Sequence, residues 1–188
     1  MTHTLTTRMF ETHNDLPPET RVSVVELLNE RLADVIDLEL QAKQAHWNVK
    51  GPNFVGLHEL FDRVAAQARE YADDIAERAV ALGGVARGTI EEIAGQSTLP
   101  AYPLVVDDWT THVRAMQAAL ATFGRAARRA IDEASLANEA DTVDLFTAIS
   151  RGVDKMLWMV EAHVQQAPRA SRMSDVETTA SAGELTTA

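Results

Sequence analysis

Cysteine is absent from the 188-residue chain. That excludes disulfides and thiolate chemistry, and it leaves the redox compartment unreadable. Lysine is scarce, with only Lys43, Lys50 and Lys155, and the formal net charge is −11. Such a chain repels phosphate backbones on average and attracts cations, which favours metal or protein partners over nucleic acid. No stretch reaches the ~20 apolar residues of a membrane span. The opening MTHTLTTRMFETHNDLPPE lacks both a basic start and a long apolar run, so it does not read as a signal peptide. A cytoplasmic protein without a membrane partner is expected. Internal repeats and useful strand-like alternation are missing too. What is present is a hydrophobic content of 46% with 24% charged residues, ordinary for one soluble domain able to bury a core.

Four long helical patterns appear. The first runs from Pro18 to about Val49, with Val22, Val25, Leu28, Leu32, Val35 and Leu38 at three- and four-residue spacings. Gly51-Pro52 ends it, and Asn53 is placed to cap the second, which spans Phe54 to Leu82 and stops at Gly83-Gly84. Phe54, Phe61, Ala68, Ile75 and Leu82 repeat every seventh residue as a packing seam. A long connection over 84–107 carries a short helix after Thr89. The third and fourth long helices fit Asp108 to about Ala134 and Ala140 to Gln166. The expectation is an all-α four-helix bundle over 18–166, preceded by an extension (1–17) and followed by a disordered tail (167–188).

The second helix also carries a different pattern. Taken from His58, the residues Asp62, Asp73 and Glu77 lie at roughly 40, 60 and 100 degrees around the helix axis. This quarter-turn stripe is roughly 130° from the packing seam by the same arithmetic. Imidazole with carboxylates suits Fe(II), Mn(II) or Zn(II). Each pair alone has a plainer meaning, a local hydrogen bond for His58–Asp62 and solvated acids for Asp73 and Glu77. Two pairs on one stripe, with His46 just before the break, favour a site. Yet His58 and Asp73 are about 22 Å apart along a straight helix, too far for one metal ion. Either two incomplete sites exist, or a second antiparallel copy sets its Asp73-Glu77 beside His58-Asp62.

The segments AHWNVKGPNF, LHELFD, ADDIAERAVALGG, LPAYPL and DTVDLFTAISRGVDKMLWMVEAH resemble the Dps family (DNA-binding protein from starved cells) of the ferritin superfamily. The resemblance covers Phe10 to Gln166 and implies a ferritin-like bundle with a short extra helix between the second and third. It further implies a hollow homo-dodecamer that oxidises Fe(II), preferably with hydrogen peroxide and otherwise with dioxygen, and stores ferric oxide, with zinc or manganese as possible substitutes. By motif position, His46, His58 and Asp62 of one chain would meet Asp73 and Glu77 of another. Trp47 would take up stray oxidising equivalents beside them. Asp141 and Asp144, in an acidic cluster with Asp132, Glu133 and Glu139, would line iron-entry pores. The plainer meaning of that cluster is acids favouring a helix N-terminus.

No histidine follows a glutamate by three positions, so the Glu-x-x-His motif of classical ferritins is absent. The chain departs from DNA-condensing relatives at its ends. Residues 1–20 set Arg8 against Glu11, Asp15 and Glu19, and the last 22 set Arg169 and Arg172 against Asp175, Glu177 and Glu184. Acidic, lysine-free ends argue against DNA binding. Arg125, Arg128 and Arg129 read as a solvated face or an intersubunit ion pair, and Glu39 as a cavity-facing nucleation site. His3, His13, His112 and His163 read as surface or structural. The main reading is a peroxide-detoxifying ferroxidase. A nucleoid-associated DNA-coating protein and a structural oligomer with a vestigial site are the alternatives.

Overall fold

The computed structural model describes residues 8–165, so His3 and the tail expected over 167–188 lie outside the described residues. Within them are five helices and no strand: α1 (Pro18–Asn48), α2 (Phe54–Ala81), α3 (Ile90–Gln96), α4 (Trp109–Leu136) and α5 (Ala140–Glu161). This is the expected ferritin-like bundle, with α3 as the extra helix. The last helix ends five residues before the expected Gln166, in turns over 162–164.

Two antiparallel hairpins form the bundle, α1 against α2 and α4 against α5. The first turns at Gly51 and the second over 137–139. Their apolar stripes meet in one core that includes Leu28, Val35, Leu38, Phe61, Phe123, Phe146 and Ile149, all essentially inaccessible. The heptad seam of α2 is buried from Phe61 to Leu82, but Phe54 is 43% exposed and leans on the His58 ring, with centroids 5.0 Å apart. Val22 is likewise peripheral. Asn53 stands at the α2 N-cap position without a side-chain capping bond, contrary to expectation; its φ of −101° and ψ of 19° are not the extended geometry of a working cap. Thr89, Asp108 and Glu139 do cap α3, α4 and α5.

The long connection from α2 to α4 crosses over α1, which explains why α1 carries polar residues where a plain bundle helix would be apolar. Buried Asn29 donates to the Val85 carbonyl and accepts from the Arg87 amide. Buried Asp34 accepts from both the amide (2.7 Å) and hydroxyl (2.9 Å) of Thr98, and pairs with Arg31 at 3.0 Å. Asp37 accepts from Ser97, and Gln41 donates to the Pro100 carbonyl. Each buried group thus finds a partner, and the crossover is held in place. Gly83, at φ +86°, ends α2: the Gly84 amide returns to the Ala79 carbonyl and the Phe10 amide bonds to Gly83 itself.

Candidate metal centre

The turn at Gly51, φ +108° and covered by the Trp109 ring, folds α2 back along α1. His46, in the last turn of α1, then faces His58, in the second turn of α2. Their rings stack with centroids 3.7 Å apart and planes 23° from parallel. Each Nδ1 lies 2.8 Å from the other residue's backbone carbonyl. A carbonyl only accepts, so both Nδ1 atoms carry hydrogen. In the neutral rings both Nε2 atoms are left with free lone pairs, held in orientation by the backbone. Two imidazole nitrogens of a type able to ligate a metal are therefore held in fixed orientation by the fold.

Asp62 follows one turn after His58. Lys43 donates to its Oδ1 at 2.7 Å, and this ammonium holds the Asp62 carboxyl below the usual carboxylate range, with the two histidines contributing more weakly. The same Lys43 lies 5.7 Å from the centroid of the Trp47 ring, and Trp47 is 65% exposed. Lys43 was not anticipated from the sequence. Its place three residues before His46, on the same helical face, was the available signal.

Asp73 and Glu77 are exposed farther along α2, about 22 Å from His58 in the case of Asp73. Among the described residues no three His, Asp or Glu side chains gather closely enough to hold a metal ion. The histidine pair with nearby Asp62 and the Asp73–Glu77 pair therefore lie apart along α2, and neither forms a metal site by itself. Asp73 borders an open groove of about 670 Å³ whose walls include Leu32, Ile36, Ala72 and Ala76.

Other expected sites look different in place. Glu39 is not free for a mineral surface, because Arg69 grips its Oε1 through Nε (2.9 Å) and Nη2 (2.6 Å). Glu139 is buried as the α5 cap, bonded to the Thr142 amide and to Arg78 at 2.7 Å. Asp141 lies 3.4 Å from the same guanidinium while remaining largely exposed, and Asp144 is exposed. Arg128 pairs with Asp154 within the chain, at 3.0 Å. His112, which sequence reasoning left without a partner, is buried against the Tyr102 hydroxyl.

Comparison with known proteins agrees with this architecture. The ferritin-like domain family matches residues 25–170. A DNA protection during starvation protein from Agrobacterium fabrum is 44% identical over 156 residues, covering 83% of this chain and 96% of the relative. One from Mycolicibacterium smegmatis is 34% identical over 146 residues, covering 77% and 78%. Among solved structures, DpsC from Streptomyces coelicolor superposes with a TM-score of 0.81 at 28% identity, covering 86% of this chain and 94% of that one. The bundle with its crossover helix, the stacked histidine pair and these relatives lead to one conclusion: the chain belongs to the Dps family of ferritin-like proteins.

Proposed function

We propose that the protein is a ferroxidase that removes Fe(II) and hydrogen peroxide together and stores the ferric product inside a hollow homo-dodecamer, so protecting DNA from oxidative damage. The observation that carries this reading is the division of donors along α2. The imidazoles of His46 and His58, each fixed through Nδ1, lie at one end with Asp62 one turn farther along α2, and Asp73 and Glu77 lie at the other. Among the described residues neither end gathers three donors by itself. A two-fold dimer with antiparallel α2 helices completes two equivalent sites at once. The apolar groove beside Asp73 supplies surface for that contact.

The chemistry follows from the donors. Carboxylates stabilise Fe(III), and imidazole accepts both oxidation states. Two Fe(II) ions give one electron each to hydrogen peroxide, which with two protons leaves as two waters and forms no hydroxyl radical. Dioxygen is the alternative oxidant. Iron reaching Asp62 takes the place of the Lys43 ammonium, so charge at that carboxylate is balanced before and after loading. Trp47, exposed beside Lys43, is placed to absorb a stray one-electron oxidation. Asp141 and Asp144 are the proposed entry residues, with Arg78 setting the position of Asp141. A DNA-coating role is the weaker reading, since Arg8 in the N-terminal segment is outnumbered by Glu11, Asp15 and Glu19.

Mixed assembly tests the shared site. One chain carries His46→Ala with His58→Ala, and a second carries Asp73→Ala with Glu77→Ala. Each alone should lose most Fe(II) oxidation. Random co-assembly at equal amounts makes half the dimers mixed, and each mixed dimer holds one complete site, so about a quarter of wild-type activity should return. Mixed shells, verified by mass spectrometry, that remain as inactive as the parents would contradict the shared site.

A further inference from the structure

A groove of about 210 Å³ runs between α2 and α5. Leu60 and Val64, both buried, form its α2 wall, and half-buried Met156 and Met159 form its α5 wall. Methionine suits such a wall, because an unbranched thioether reshapes to what it meets. One end lies at Gly152, onto which Tyr71 packs its hydroxyl, an approach that a larger side chain there would block. Arg63 of α2 and Lys155 of α5, both exposed, stand on either side of the mouth.

The charge of this groove runs against that of the chain. Asp and Glu outnumber Lys and Arg by 28 to 17, yet no carboxylate lines it. The acids next to the two cations in sequence are engaged elsewhere, Asp62 with Lys43 and Asp154 with Arg128. Gln67, also in the lining, donates to Glu70 at 2.8 Å. Arg63 and Lys155 themselves enter no ion pair among the described residues. Single surface cations are ordinary, since their heads are solvated while their stems cover apolar surface. Two of them above one apolar trough make a positive mouth over a low-dielectric floor, which focuses their field on whatever enters. Around the α2 axis, Leu60, Val64, Gln67 and Tyr71 centre roughly 150–170° from Asp62 and Asp73. The two-fold contact proposed above therefore leaves the groove uncovered.

We propose that this groove binds a medium-chain aliphatic carboxylate, its head between Arg63 and Lys155 and its chain along Leu60, Val64, Met156 and Met159, a function separate from iron oxidation. The cations call for an anionic head. A guanidinium meets a carboxylate through two parallel N–H bonds, and an ammonium completes the neutralisation as a point charge. The apolar walls call for more than a bare oxyanion, because inorganic phosphate gains nothing from methionine or leucine. Volume sets the length: about 210 Å³ is below the ~300 Å³ of pockets that enclose drug-sized ligands, and it takes a chain of about eight carbons rather than a long-chain lipid. Carboxylate, guanidinium and ammonium are all charged near neutral pH, so binding moves no proton.

The test titrates the assembled full-length protein with octanoate by isothermal titration calorimetry, beside butanoate, octanol and inorganic phosphate. Octanoate should saturate at one per chain. A fully buried methylene strengthens binding about fourfold and one on an open groove about twofold, so butanoate, about four methylenes shorter, should bind about tenfold more weakly. Each cation contributes up to about fivefold, so Arg63→Gln with Lys155→Gln should weaken octanoate about tenfold or more. Octanol, which has no charge to offer, should be weakened comparably. The double variant should keep its native mass, circular dichroism and Fe(II) oxidation. Spectra of protein carrying isotope-labelled methionine methyls locate the ligand: of the six methionines, Met156 and Met159 should shift, assigned through Met156→Leu and Met159→Leu. Phosphate or butanoate bound as tightly as octanoate would make the groove a simple charge patch, and octanol bound as tightly would make it merely apolar; either result overturns the proposal. So do unshifted Met156 and Met159 methyls, full binding by the double variant, or no saturable binding at millimolar octanoate.

Discussion

Gly152→Ala offers a sharp test of how α5 is held against α2. A methyl group there would sit 1.8 Å from Oη and 3.1 Å from Cζ of Tyr71. Alanine normally stabilises a helix interior by about 0.8–1 kcal/mol over glycine. Against that, overpacking a filled contact costs about 1–3 kcal/mol, because Tyr71 is a rigid ring that must rotate or push the helices apart. With an overlap this close the cost falls in the upper part of that range, about 2–3 kcal/mol, so the expected balance is a loss of about 1–2 kcal/mol, a fall in Tm of roughly 2–8 °C for a domain of this size. Thermal unfolding by far-ultraviolet circular dichroism measures it. Tyr71→Phe removes the atom in the worst clash, and the double variant should regain more than half of the loss. Gly56→Ala, where nothing lies within 4 Å, should be neutral or stabilising. A Gly152→Ala protein as stable as the parent, or one that Tyr71→Phe does not rescue, would show that the helices do not approach as described.

Three further outcomes follow from the same geometry. Lys43→Gln removes the competitor for Asp62, and since an exposed ion pair is worth about 0.2–1 kcal/mol, Co(II) should bind about 1.4- to fivefold more tightly in a spectroscopic titration; weaker binding would mean that Lys43 organises the site. Glu139 has its carboxyl held below 4.5: burial works to raise it, but bonds from Thr142 and the charge of Arg78 outweigh burial. A depressed folded value contributes stability above the unfolded value that is lost as pH falls through the folded one, so Glu139→Gln should cost about 1–2 kcal/mol near neutral pH and progressively less below pH 4.5, by denaturant titration. Plasmid should show no mobility shift with the protein at near-neutral pH and about 0.15 M salt, where residual attraction is screened; a clear shift without divalent metal would restore the DNA-coating reading.

Helix extents and the donor stripe could be read from the sequence because both are local. The breaks at Gly51-Pro52 and Gly83-Gly84 and the three- and four-residue apolar spacing depend only on backbone preferences and helical period. So does the stripe of His58, Asp62, Asp73 and Glu77, together with the span of about 22 Å that separates His58 from Asp73. The remaining features were decided by where distant segments cross. That His46 and His58 exchange Nδ1 hydrogen bonds with each other's carbonyls depends on how α2 turns back along α1. Phe54 left the core to rest on His58 for the same reason. Arg69 reached Glu39, and Arg78 reached Glu139 and Asp141, because guanidinium groups find carboxylates on neighbouring helices that no spacing rule connects. Tyr102 met His112 only because Asn29, Asp34, Asp37 and Gln41 pin the crossover to α1. Burial then pushes the Tyr102 phenol up and the His112 imidazole down, an effect that belongs to the packed interior and to no single segment.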